Sequence, residues 1–186
     1  MPSPTGPAPR LVEPGAEAVG GVLEVPTAAA MEILGERLAG PLQAGDLVIL
    51  SGPLGAGKTV LARGVGAGLQ VQGPVISPTF VLVRVHPSLI GGPALVHVDA
   101  YRLGGPAEID DLDLDSALAD SVTLIEWGAG LAEQLSDDRL EVVIERADDP
   151  TDDTRLVQLR PVGRRWRDVD WSALTDPVSA REASCG

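Results

Sequence analysis

Lysine is nearly missing from this 186-residue chain: its 14 basic residues are thirteen arginines and a single lysine, Lys58. The formal net charge of −13 disfavours direct, tight contact with nucleic acid, because neutralising phosphates takes clustered Lys and Arg. Cysteine is equally scarce. The only one, Cys185, leaves no internal disulfide to form and points to a reducing compartment. Asparagine does not occur at all, so the Asn-Lys-x-Asp segment that usually selects guanine cannot be assembled. No apolar run approaches the ~20 residues needed to cross a bilayer. The start, Met1-Pro2-Ser3-Pro4, lacks a basic and then apolar export pattern. A soluble cytoplasmic protein without a membrane partner is expected, of a length that suits one well-packed domain better than two.

The lone lysine stands in Gly52-Pro53-Leu54-Gly55-Ala56-Gly57-Lys58-Thr59, a full match to G-x-x-x-x-G-K-[ST], the phosphate-binding P-loop. Its flanks are those such a loop needs. Residues 46–51 form a short aliphatic run bounded by glycines and read as a buried strand. From Lys58 onward, Val60, Leu61, Val65 and Leu69 recur at helical spacing. Glycines let the backbone turn its N–H groups toward phosphate, and the helix N-terminus adds free donors and partial positive charge. A compact ammonium at Lys58 can follow the β- and γ-phosphate oxygens, and the Thr59 hydroxyl suits Mg²⁺. Because the guanine route is closed, ATP is the better fit.

Along the chain, residues 1–20 read as a flexible tail rich in Pro, Gly and Ala. Thr27 can cap a helix carrying Met31, Leu34 and Leu38, which Gly40-Pro41 ends. Strands are expected at 79–85, 94–98 and 122–125, with an acidic helical stretch after Gly104-Gly105-Pro106. Residues 140–144 and 155–159 alternate around the polar turn 147–154 and predict a β-hairpin. Residues 168–186 read as a second tail, holding Trp171 and Leu174 in a short helix. The domain proper is 21–167. Strands alternating with helices predict an α/β three-layer P-loop NTPase fold with a mostly parallel central sheet and a C-terminal β-hairpin.

A P-loop needs acidic partners at the C-terminal ends of neighbouring strands, to hold Mg²⁺ and orient the attacking group. Asp99 and Glu126 both have that placement, and periodicity alone leaves open which is the Walker-B carboxylate. The run Asp111-x-Asp113-x-Asp115 begins like a calcium loop but has Ser116 where Gly is needed and Val122 where Glu is needed, so it reads as a solvated acidic face. Arg160, Arg164, Arg165 and Arg167 around Trp166 read as an exposed strand end.

With these residues placed, the pattern resembles the TsaE family of bacterial ATPases in tRNA threonylcarbamoyladenosine biosynthesis. The resemblance rests on residues 51–59, on Ser77-Pro78-Thr79-Phe80, on His97-Val98-Asp99-Ala100-Tyr101-Arg102-Leu103, and on Ile125-Glu126-Trp127. It covers roughly residues 24–160, and the last three motifs are the specific ones. The resemblance implies an ATP- and Mg²⁺-binding subunit with slow hydrolysis alone. It implies association with a TsaB–TsaD pair, which ATP hydrolysis would reset between turnovers; tRNA would be met only through those partners. It also implies roles for individual residues. Gly55, Ala56, Gly57, Lys58, Thr59 and Val60 would hold the phosphates, with Thr59 on Mg²⁺. Glu126 would be the second magnesium ligand, directly or through water, and Asp99 the acid needed for hydrolysis. Thr79 would sense the γ-phosphate, Trp127 would lie near the nucleotide, and Thr27 and Arg155 would reach it from the other side. Two positions depart from the family pattern: Pro53 replaces a usual acidic residue, and Gly128-Ala129-Gly130 lacks the acidic residue often found there. The alternatives are a P-loop small-molecule kinase and a nucleotide-gated binding module. A kinase normally closes an arginine-bearing lid, and no internal segment is long and Arg-rich enough for one.

Overall fold

The computed structural model describes residues 10–12, 22–112, 114–147 and 152–174. In chain order its elements are β1 (Arg10–Val12), β2 (Val22–Val25), α1 (Ala28–Leu38), β3 (Leu47–Ser51), α2 (Lys58–Gly68), β4 (Val83–His86), β5 (Ala94–Asp99), α3 (Pro106–Asp110), α4 (Asp115–Leu118), β6 (Ser121–Glu126), β7 (Arg139–Arg146) and β8 (Arg155–Val162). Two single 3₁₀ turns, Glu133–Leu135 and Ser172–Leu174, complete it. All eight strands belong to one sheet in the order β1-β2-β8-β7-β3-β6-β5-β4.

The aliphatic runs become its centre. Along β3, Val48 and Leu50 face one core, with α1, α2 and the hairpin, while Leu47 and Ile49 face the other, with Val96, Val98, Ile109, Leu114 and Ile125. That alternation puts both faces of β3 under cover, which is why the run is apolar throughout rather than at every second residue. The three layers are therefore α1 and α2, the sheet, and a thinner layer of α3, α4 and the 3₁₀ turn at 133–135. This is the α/β P-loop NTPase fold.

The sheet is mixed. β7, β3, β6 and β5 run parallel, whereas β4 on one margin and β8, β2 and β1 on the other are antiparallel to their neighbours. The expectation of a mostly parallel sheet holds for the four central strands only. β2 went unrecognised because it offers just two inward residues, Leu23 and Val25, too few for a period to show. The strand expected at 79–85 starts instead at Val83. Pro78 closes a turn by accepting from the Val81 and Leu82 amides, and Leu82 takes φ +65°.

Within the segments expected as tails, the described residues pack on the domain. Residues 10–12 pair with β2. At the other end Trp171 stacks on Trp166 at 6.0 Å, Leu174 is buried, and its carbonyl accepts from Arg37 Nη1 at 3.0 Å. The rest of both tails, Cys185, Asp113 and the hairpin turn at 148–151 lie outside the described residues. Nor is the arginine cluster wholly exposed. Arg165 forks onto Asp46 at 2.8 and 2.9 Å and onto the Pro41 carbonyl at 2.6 Å, beside a buried Trp166. The acidic stretch forms two short helices rather than one. Among the described residues no helix is long and apolar enough to cross a membrane.

Candidate functional site

The loop between β3 and α2 is shaped by its glycines. Gly52, at φ +141°, lies so close to β7 that a Cβ would collide with the Ile144 carbonyl. Gly57 takes φ +109° where it starts α2, a conformation L side chains avoid. The Lys58 side chain is buried beneath this loop. Its ammonium donates to the Gly52 and Pro53 carbonyls at 2.7 and 3.0 Å and lies 3.5 Å from the centre of the Trp127 ring. Burial lowers its pKa, against the opposing pull of Glu126 and Asp99.

Trp127 is held there by strained backbone, at φ +62°, a region that costs a bulky residue energy and tends to mark functional sites. Its amide donates to the Leu50 carbonyl at 2.9 Å, and Tyr101 tilts against its ring at 5.0 Å.

The two carboxylates end adjacent parallel strands, with Asp99 and Glu126 in register. Thr59 Oγ1, in the first turn of α2, lies 2.9 and 3.0 Å from the two Glu126 oxygens. Asp99 Oδ2 accepts from the Ser77 and Thr79 hydroxyls at 2.7 and 2.5 Å, and Oδ1 from the Tyr101 amide at 3.0 Å. Burial raises the Asp99 pKa. The hydrogen bonds from Thr79, Ser77 and Tyr101, with a contribution from His97, outweigh it and leave the carboxyl below its ordinary 3.8.

Every residue expected to contact the nucleotide or the metal lines one of two cavities that meet at the loop. The larger, about 430 Å³, holds residues 54–60, Ser77, Thr79, Asp99, Tyr101, Glu126 and Trp127. The smaller, about 190 Å³, brings Thr27 and Arg155 to Gly55, Ala56, Gly57 and Val60. Thr27 also caps α1, accepting from the Ala30 amide at 3.1 Å. The sequence reading did not assign Ser77, Tyr101 or His97 to the site, although all three lie inside the motifs it quoted. It missed Arg146 too, which pairs in register with Arg155 and whose Nη1 would be the nearest neighbour of a Cβ at Gly55, 3.9 Å away. The parallel register of β7 with β3 brings Arg146 to the loop, and the antiparallel register with β8 sets Arg155 beside it.

The donor set at the strand ends is made of oxygen, the element Mg²⁺ prefers. The Thr59 hydroxyl and Glu126 carboxylate are hard oxygen donors within 3.0 Å of each other. Among the described residues no three His, Cys, Asp or Glu side chains converge on one point. That suits a cation which uses one or two carboxylates and fills its octahedron with phosphate oxygens and water. The residues fit.

A phosphate-type loop between a central parallel strand and a helix, with two acids on the neighbouring strand ends, defines a protein of the P-loop NTPase class. Its relatives narrow the class. The family model "Threonylcarbamoyl adenosine biosynthesis protein TsaE" matches residues 25–156. The tRNA threonylcarbamoyladenosine biosynthesis protein TsaE of Streptomyces coelicolor is 59% identical over 146 residues, 77% of this chain and 99% of that protein. Its Bacillus subtilis counterpart is 39% identical over 123 residues, 66% of this chain and 73% of that protein. The crystal structure of YdiB from the same bacillus superposes with a TM-score of 0.62 at 30% identity, covering 78% of this chain and 87% of that one. The chain belongs to the TsaE family.

Proposed function

We propose that this protein is the ATP-hydrolysing subunit of a cytoplasmic tRNA threonylcarbamoyladenosine assembly, acting on TsaB- and TsaD-type partners that it resets between turnovers. The observation that carries the reading is the convergence of Lys58, Thr59, Asp99 and Glu126 on one cavity at the loop. Lys58 and the loop amides bind the β- and γ-phosphates of ATP, and Thr59 and Glu126 hold Mg²⁺, which neutralises charge on the phosphate oxygens. Asp99 orients the attacking water, giving ADP and phosphate. Thr79, bonded to Asp99, links the loop at 77–82 to that carboxylate, so the loop can respond to the γ-phosphate. Trp127 borders the phosphate side, while Thr27 and Arg155 meet the nucleotide from the smaller cavity.

A partner-dependent cycle is supported by the rim of the larger cavity. Leu54 and Tyr101 line that cavity, Phe80 and Val81 directly follow its Thr79 in the chain, and all four are more than half exposed, apolar surface suited to contact with another protein. The net charge of −13 fits a subunit that leaves tRNA to its partners.

The test is Mg²⁺-dependent ATP hydrolysis by the purified chain, alone and with a TsaB–TsaD pair from the same source. Slow turnover alone, stimulated by the pair and lost in Lys58→Ala, is expected. No stimulation and no co-elution in ATP would overturn the partner role, and stimulation by a metabolite instead would favour the kinase.

A further inference from the structure

Behind the two carboxylates lies a buried polar side chain that the proposed function does not use. His97 is fully buried, and its Nε2 lies 2.9 Å from Glu126 Oε1. On β5 it stands two residues before Asp99, so both project from the same face of the sheet. A carboxylate only accepts, which places the imidazole proton on Nε2 as the donor. The other ring nitrogen, Nδ1, is buried without a hydrogen-bond partner. The ring's hydrogen bonding is therefore spent on Glu126, while its influence on Asp99 is electrostatic only.

Glu126 is itself 2% exposed and is gripped from two elements. Thr59 on α2 reaches both of its oxygens, and His97 on β5 reaches Oε1. A hydroxyl that gives its proton to a carboxylate keeps its lone pairs, so Thr59 can serve Glu126 and a cation together. It has one proton for two oxygens, however, and cannot fix the carboxylate alone. The bond from His97 removes that freedom.

We infer that His97 is a positioning residue, which orients the Glu126 carboxylate through Nε2 so that Thr59 and Glu126 present their oxygens to Mg²⁺ in one arrangement. The inference rests on the nucleotide and Mg²⁺ reading of the site. Groups that hydrogen-bond to metal ligands commonly change metal affinity ten- to a hundredfold when removed.

A pair of polar substitutions isolates the role. In His97→Gln the side-chain amide nitrogen falls near the position of Nε2, while in His97→Asn it falls near Nδ1 and cannot reach Glu126. Both bury one amide, so folding costs are matched. ADP binding is measured by calorimetry in EDTA and across a Mg²⁺ titration, with Lys58→Ala as the control for the loop. Expected for His97→Asn is a rise of about tenfold or more in the Mg²⁺ needed for half-maximal enhancement of ADP binding, with affinity in EDTA unchanged. His97→Gln should stay close to wild type.

Equal Mg²⁺ dependence in His97→Asn and wild type overturns the inference and leaves the functional reading standing. So does a parallel loss of affinity with and without Mg²⁺, which is the signature of a merely structural histidine. If the wild type binds ADP no better than Lys58→Ala, the functional reading fails and the inference falls with it. Should neither variant fold, imidazole NMR of the wild-type ADP complex decides the matter: the Nε2–H signal of His97, bonded to Glu126, should shift when Mg²⁺ is added, and a signal that Mg²⁺ leaves unmoved overturns the inference.

Discussion

Asp99 and Glu126 stand next to each other at the ends of β5 and β6, yet they share no hydroxyl partner. Glu126 takes Thr59 of the phosphate-type loop and His97. Asp99 takes Ser77 and Thr79 from the loop before β4. Two acids with separate partners are suited to separate tasks. On the proposed reading, Glu126→Gln should weaken Mg²⁺-enhanced nucleotide binding together with hydrolysis. Asp99→Asn should leave Mg²⁺-enhanced binding within about twofold and slow hydrolysis by about a hundredfold or more, the usual scale for a positioned acid or base. Nucleotide titrations with and without Mg²⁺, run beside turnover assays, separate the two. The opposite pattern would exchange their roles.

What the sequence made legible is what local chemistry dictates. The loop glycines, Lys58, Thr59 and the aliphatic runs are written in consecutive residues, and they fall where expected. Asp99 and Glu126 were both legible as strand ends, but their different partners were not. Thr79 meets Asp99 across 20 residues of chain, through a turn that opens at Pro78 and reads locally like the start of a strand. His97 looked like one more residue of a buried strand, since no spacing rule connects it to Glu126, 29 residues on. Arg146 reaches the loop only through the registers of β7 with β3 and β8. The mixed margins of the sheet were hidden for the same reason: strand direction depends on connections, and β2 is too short to carry a period.

The depressed Asp99 carboxyl makes a pH prediction whose sign is fixed by linkage. Its folded pKa lies below the unfolded value near 3.8, so on acidification the unfolded chain takes up the proton first. The stability it contributes is whole above that value and is lost as pH falls through the folded pKa. Asp99→Asn has no such proton to bind. The stability gap between wild type and Asp99→Asn, from urea midpoints between about pH 6 and pH 3, should shift against wild type as the pH drops. A gap that stays constant across the series would mean the carboxyl is not depressed.

Gly64 sets how closely α1 and α2 approach. A Cβ there would collide with the Glu32 carbonyl and sit 2.9 Å from the Glu36 nitrogen, both backbone atoms that cannot rotate aside. Gly64→Ala gains up to about 1 kcal/mol of helix propensity, but forcing the helices apart typically costs ~1–3 kcal/mol. A net loss of about 1 kcal/mol or more in urea unfolding is expected. Gly105, in extended backbone at φ −179° with no neighbour within 4 Å of its Cβ position, is the control, and Gly105→Ala should stay within about 0.5 kcal/mol. Equal stability of both variants would show that the helices can slide apart freely.

Thr27 caps α1 and lines the smaller cavity with Arg155, and one pair of substitutions divides those roles. Thr27→Ala removes the acceptor for the Ala30 amide and should cost about 1 kcal/mol of stability. Thr27→Asp keeps a good cap, so its stability should match wild type. It also places a negative charge where the nucleotide is proposed to pass, and can draw Arg155 to itself. A like-charge penalty of ~1.4 kcal/mol corresponds to a tenfold loss of affinity, so ADP should bind Thr27→Asp at least about tenfold more weakly. Unfolding curves and ADP titrations on the two variants give the answer. If Thr27→Asp binds ADP as tightly as wild type, Thr27 is a helix cap only, and the smaller cavity plays no part in holding the nucleotide.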